Sequence, residues 1–151
     1  MIRKKQIPLK KLYDVRNHVR GELETLQSLA QLISAPSQEN IVIQKMQLES
    51  FLIHASLLIE FLYNDKRNAQ DTRAKDFFNS PKQWKALRPD KSRLLALVAP
   101  AANKHLENPS HKGLQKILEW PFKSIANSIE RVMTIFLDNI PEKLKEKLNN
   151  I

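Results

Sequence analysis

Cysteine is absent from this sequence of 151 residues, which excludes disulfides, thiolate metal sites and cysteine nucleophiles and fits a reducing compartment. Zinc would have to rely on histidine and carboxylates. Glycine occurs only twice, at Gly21 and Gly113, and runs of β-branched or aromatic residues alternating with polar ones are missing, so strands have little support. No apolar run reaches the about 20 residues needed to cross a hydrocarbon layer. The best candidate, Phe51 to Tyr63, has thirteen residues and carries His54 and Glu60 within it. That segment is predicted to face other helices rather than lipid. The basic start MIRKKQIPLKKLYD is not followed by an apolar signal-peptide core, so the expectation is a cytoplasmic protein without a membrane partner.

What the chain does contain is positive charge, +9 in all, unevenly placed. Residues 1–20 hold Arg3, Lys4, Lys5, Lys10, Lys11, Arg16 and Arg20 against Asp14 alone, a local charge of +6. Residues 66–93 hold Lys66, Arg67, Arg73, Lys75, Lys82, Lys85, Arg88, Lys91 and Arg93 against Asp71, Asp76 and Asp90, again +6. The remainder is slightly acidic. Two concentrated basic segments suit neutralisation of phosphate, the generic and strongly salt-dependent route to nucleic-acid affinity. The competing reading is solubility and ordinary surface lysines.

The apolar spacing predicts an all-α protein in one domain, residues 1–151. Pro8 opens a first helix to about Ile33, with Leu12, Val19, Leu23, Leu26, Leu29 and Ile33 on one stripe. Ser37 is a cap for a second helix, Gln38 to Tyr63, whose stretch LESFLIHASLLIEFLY is apolar nearly all round and should be buried on several sides. Residues 65–89 read as a polar, basic insertion of short helices, with Ser80-Pro81 as a cap and first-turn pair. Its rings Phe77, Phe78 and Trp84 either anchor it to the rest of the protein or stack on single-stranded bases. Asp90 is the expected cap of a helix through Leu94, Leu97 and Val98, with a kink or restart at Pro100. The segment ENPSHKG is a break. Pro121 begins the last long helix, striped by Phe122, Ile125, Ile129, Val132, Met133, Phe136 and Ile140, and residues 141–151 form a charged tail. The architecture expected is an up-and-down helical bundle of four to five main helices, with the short-helix insertion between the second and the fourth.

The run Glu49-Ser50-Phe51-Leu52-Ile53-His54-Ala55, followed by Leu58-Ile59-Glu60-Phe61-Leu62-Tyr63, resembles the second helix of bacterial helical proteins of the HEPN type. Downstream, Lys66-Arg67, Asp71, Ala74, Asp76-Phe77-Phe78 and Trp84 resemble that group's polar insertion, and Ala102-Asn103-Lys104-His105-Leu106 its Asn-Lys-x-Leu segment. The resemblance spans roughly residues 40–135. It implies a helical bundle, often dimeric, from a group rich in metal-independent ribonucleases and nucleic-acid-associated modules of toxin, phage-defence and stress systems. Active members carry an Arg, usually followed by a polar residue, then about four to six intervening positions, then a His near the start of the last core helix. A histidine there moves protons and an arginine stabilises charge developing on phosphorus. Here Asn103 and Lys104 stand in place of the Arg and its neighbour, Asn108 stands where the His would fall, and Ser56 replaces the Arg that follows His-Ala in many relatives. These departures imply a lost or altered activity.

The expected function is therefore binding without catalysis, to RNA or to a protein partner, in a stress or defence setting. Nucleic-acid contacts are assigned to Arg3, Lys4, Lys5, Lys10, Lys11, Lys66, Arg67, Arg73, Lys82, Lys85 and Arg88. Two alternatives stand beside it: a metal-independent ribonuclease built from His54, Lys104 and His111, and a structural module forming a homodimer through an exposed stripe. No cofactor and no metal site are expected, although His105 and His111 flank Glu107. Within its apolar helix His54 is expected to be a neutral buried imidazole, unless a carboxylate from another helix reaches it. Lys143, Lys145 and Lys147 alternate with Glu142 and Glu146, as on a solvated helix face.

Overall fold

The computed structural model describes residues 6–35, 40–66, 71–107 and 116–151. Seven α-helices lie within these residues: α1 (Leu9–Ser34), α2 (Ile41–Tyr63), α3 (Pro81–Leu87), α4 (Arg93–Ala96), α5 (Val98–Glu107), α6 (Phe122–Asn139) and α7 (Glu142–Asn149). A 3-10 turn, Ala74–Phe77, lies between α2 and α3, and no strand occurs among the described residues. The protein is all-helical, as its apolar spacing demands. The seven α-helices differ in number from the expected four to five main ones, the short α3, α4 and α7 being counted among them. Among the described residues no helix is long and apolar enough to cross a membrane.

Helix α1 begins where the Pro8 carbonyl accepts the Lys11 and Leu12 amides and stops at Ala35, whose extended backbone is what the following Pro36 favours. It buries Leu12, Arg16, Val19, Leu26 and Ala30, at intervals of four, three, seven and four, against α2 and α6. Helix α2 starts at Ile41, later than the expected Gln38. The Asn40 side chain accepts the Ile43 amide at 3.0 Å, so Asn40 is the cap. Ser37 and Gln38 lie outside the described residues. Asn caps as well as Ser, and sequence alone offers no way to choose between two candidates three residues apart.

The stripe on α6 buries all its members, from Phe122 to Phe136, with Ile140 just beyond the helix. Phe136 is the hub of the core. Its ring meets those of Phe61, Phe77, Phe78 and Trp84 with centroids at 5.4, 5.1, 6.1 and 5.7 Å. Phe78 and Trp84 stack at 5.4 Å, and the Trp84 indole N–H donates to the Leu62 carbonyl at 2.8 Å. The rings of the insertion are thus anchors, buried against α2 and α6, and unavailable to bases. Charge and ring content coexist there because the rings point inward while Lys66, Lys82 and Lys85 point out.

A second expected cap also moves. Ser92 rather than Asp90 caps α4, its hydroxyl accepting the Leu95 amide at 3.2 Å. The restart expected at Pro100 falls two residues earlier: the break is at Leu97, α5 begins at Val98, and Pro100 sits in its first turn, where its missing N–H has no helical partner to lose. Helix α2 also departs from burial all round. Leu48, Phe51, Leu52, Ala55, Leu58, Ile59, Phe61 and Leu62 are buried, but Val42, Met46, Ile53 and Leu57 are exposed. Neighbouring helices cover it on most sides and leave one open.

Candidate nucleic-acid interface

The basic residues divide into two chemical groups. Lys10 and Lys11 on the first turn of α1, Lys66 beyond α2, and Lys82 and Lys85 on α3 are exposed. None of these five ammonium groups takes part in an ion pair among the described residues, so each remains open to an external anion. The two arginines behave differently. Arg88 grips Asp65 with both terminal nitrogens, at 2.8 and 2.6 Å, donates to the Leu62 carbonyl at 3.1 Å and lies over the Tyr63 ring at 5.0 Å. Arg73 pairs with Glu60 at 3.3 Å and Asp71 at 3.7 Å. A planar guanidinium fits a carboxylate bidentately, so arginine is recruited to tie the insertion to the end of α2 while lysine stays free. Arg73 and Arg88 are therefore structural anchors in place of the phosphate contacts expected of them. Arg3, Lys4, Lys5 and Arg67 lie outside the described residues.

Two further cations are spent inside. Lys75 is buried and donates to the Lys66 carbonyl at 2.7 Å. Arg16, also buried, donates to Asn149 at 3.2 Å and thereby joins α1 to α7, with burial and the neighbouring Arg20 lowering its pKa.

The Arg88 hydrogen bond holds the Asp65 carboxyl below the ordinary carboxylate range, against the opposing effect of burial. A depressed folded-state pKa contributes stability in full above the unfolded-state value and loses it as pH falls through the folded value. Urea midpoints of the natural protein and an Asp65→Asn variant should differ at neutral pH and converge as pH falls below the ordinary carboxylate range. The gap should be modest, because Asp65 is 40% exposed. A gap independent of pH would assign the difference to something other than this ion pair.

One residue of the second basic segment, the acidic Asp76, meets the start of the first. Gln6, Ile7, Leu9 and Leu12 from the first line a cleft of about 590 Å³ with Asp76 from the second and Leu144 and Lys147 from α7. Lys10 and Lys11 project from the same turn as Leu9 and Leu12.

Two members of the proposed catalytic set, His54 and Lys104, fall among the described residues. His54 is partly exposed rather than buried, and its Nδ1 meets the carboxylate of Glu22 on α1, the partner from another helix that the sequence reading left open. Glu22 also approaches His18, one turn before it on α1, at 3.7 Å. Sequence reasoning missed Glu22 because 32 residues separate it from His54. The only local signal was the His18/Glu22 spacing. Lys104 is exposed on α5, and its neighbour His105 is buried, with Nε2 at 3.4 Å from Glu49, which in turn meets Lys45 at 3.9 Å. Glu49 and His54 are five residues apart on α2 and so point about 140° apart around it. The two His–Glu pairs therefore open toward different neighbours, one toward α1 and the other toward α5. His111 lies outside the described residues, and among those described no three His, Asp or Glu side chains converge as metal ligands would. No protein-family model, curated protein or solved structure matches the chain.

Proposed function

We propose that this chain is a non-catalytic HEPN-like protein that binds RNA in a bacterial stress or defence setting, across the side where its two basic segments meet. The observation that carries this reading is the cleft joining residues 6–12 to Asp76 and Lys147, beside the exposed Lys10 and Lys11. A phosphate backbone needs only such a field, whereas hydrolysis needs an oriented constellation of acid, base and charge stabiliser. In this reading α1, α2, α5 and α6 are the main members of an up-and-down bundle, and the 3-10 turn with α3 belongs to the inserted segment. The adjacency of α1 to α2 and α6, and of α2 to α5 and α6, supports that arrangement.

Fluorescence anisotropy with labelled single-stranded RNA tests the proposal. Affinity should fall steeply between about 50 and about 200 mM salt. Changing Lys10, Lys11, Lys82 and Lys85 together to Gln should weaken binding and flatten the salt slope by roughly 0.7 per lost phosphate contact. Absence of binding at the lower salt overturns the reading. The ribonuclease alternative rests on the carboxylate-oriented His54, and RNA cleavage lost in a His54→Ala variant would establish it instead.

A further inference from the structure

The cleft at the start of α1 is more than a basic surface needs. Its volume of about 590 Å³ falls within the about 300–1,000 Å³ usual for sites that hold a small organic group, and it shares their composition of apolar walls with a few polar groups. Ile7, Leu9, Leu12 and Leu144 supply the walls, while Gln6, Asp76 and Lys147 supply the polar atoms. Phosphates seek exposed cations and have no use for such walls. Asp76 is half-buried, and one of its carboxylate oxygens accepts the Arg73 amide at 2.7 Å. A carboxylate has about four lone-pair sites, so this bond fixes the group and leaves it able to accept more. Lys147 is exposed and belongs to no ion pair among the described residues.

We propose that this cleft takes up an unpaired guanine base, with the flanking phosphate on Lys10 and Lys11; this rests on the RNA-binding reading above and adds a base preference to it. An ionised carboxylate only accepts hydrogen bonds and an ammonium group only donates them, so the occupant must offer donors and acceptors side by side. The Watson–Crick edge of guanine does so. Its N1–H and N2–H2 form a parallel pair of donors for Asp76, and the adjacent O6 accepts from Lys147. Adenine and cytosine present one amino group and uracil one imide N–H, so none of them gives the carboxylate two parallel donors. The apolar walls cover the faces of the ring. An acyl chain would cover Asp76 without donating to it, which is unfavourable for a charged acceptor. An arginine side chain would suit the carboxylate, but Lys10, Lys11 and Lys147 repel a cation.

Fluorescence anisotropy of the full chain at about 50 mM salt, with short labelled uridine strands that differ only in one central nucleotide, tests the proposal. A strand with a single guanosine should bind about tenfold or more tightly than the all-uridine strand. Inosine at the same place lacks the N2 amino group and should lose most of that gain. Asp76→Asn keeps an oxygen for the Arg73 amide but sets an N–H2 group against the guanine donors, so it should abolish the preference with little change in the melting curve. A preference that survives in Asp76→Asn, or equal affinity of the natural protein for the guanosine and inosine strands, overturns the site. The inosine comparison needs no variant and decides the matter even where Asp76→Asn fails to fold.

Failure of this site and failure of the RNA reading look different. Equal binding of the guanosine and uridine strands removes the base site and leaves RNA binding standing. Binding of neither strand removes the RNA reading, and isothermal titration with guanosine 5′-monophosphate then decides the cleft alone. Uptake of that nucleotide but not of uridine 5′-monophosphate, lost in Asp76→Asn, would keep the guanine site for a free nucleotide. No heat of binding from either nucleotide would overturn it.

Discussion

A Phe136→Ala variant should lose about 3–5 kcal/mol of stability, the largest effect of any single truncation considered for this protein. Phe136 is fully buried on α6, and its ring edges or faces meet four others drawn from three separate places: Phe61 on α2, Phe77 and Phe78 around the 3-10 turn, and Trp84 on α3. Removing the ring leaves a cavity that these neighbours cannot fill without giving up the contacts they make with one another. Since domains of this size are commonly stable by about 5–15 kcal/mol, the loss removes from about a fifth to all of the stability. Phe136→Leu, which keeps much of the apolar volume and loses only the ring geometry, should cost about 1–2 kcal/mol. Urea denaturation followed by far-UV circular dichroism measures both. Equal losses for Ala and Leu would show that the ring contacts, rather than the filled volume, hold the hub together.

The second large effect is a non-additive one at the end of α2. The Leu62 carbonyl belongs to the last turn of the helix, where carbonyls lack intrahelical donors, and it receives two from elsewhere: the Trp84 indole at 2.8 Å and Arg88 at 3.1 Å. Trp84→Phe alone leaves the Arg88 donor in place, and Arg88→Ala alone leaves the indole. The double variant leaves this carbonyl without either donor. An unsatisfied buried acceptor costs about 1–3 kcal/mol, so the double variant should exceed the sum of the singles by about 1 kcal/mol or more. A strictly additive cycle would mean that water reaches Leu62 once either donor is gone. The Asp65 pairing of Arg88 appears equally in the single and the double variant, and so cancels from the coupling.

These sites also show how far the sequence could be read. The α6 stripe was legible residue by residue, because a single helix packed on one side repeats its apolar positions at the helical period and Pro121 and Pro141 bracket it. Both ends of α1 and the end of α2 were equally plain. Caps were less so: Asn40 and Ser92 displaced Ser37 and Asp90, since several residue types accept an amide hydrogen bond and the backbone path selects among them. The anchoring role of Phe77, Phe78 and Trp84 could be argued from the presence of large rings in a polar segment. Their common partner, Phe136, could not, because it lies more than fifty residues further along the chain.

For the candidate interface, the division was chemical. Composition located the two basic segments, yet Arg73 and Arg88 could not be separated from Lys82 and Lys85 without knowing where Glu60 and Asp65 stand. His54 likewise invited a partner from another helix, and only the packing of α1 on α2 identified Glu22.

By itself the sequence determined that the chain is helical, where its long helices run and that its charge is concentrated in two stretches. Those are properties of local spacing and composition, which act within a few turns of helix. Tertiary structure alone decided which cations are left free, that Asp76 of the second stretch shares a cleft with residues 6–12 of the first, and that one side of α2 stays bare. Each of these depends on which surfaces meet across distant parts of the chain, and no local period encodes that.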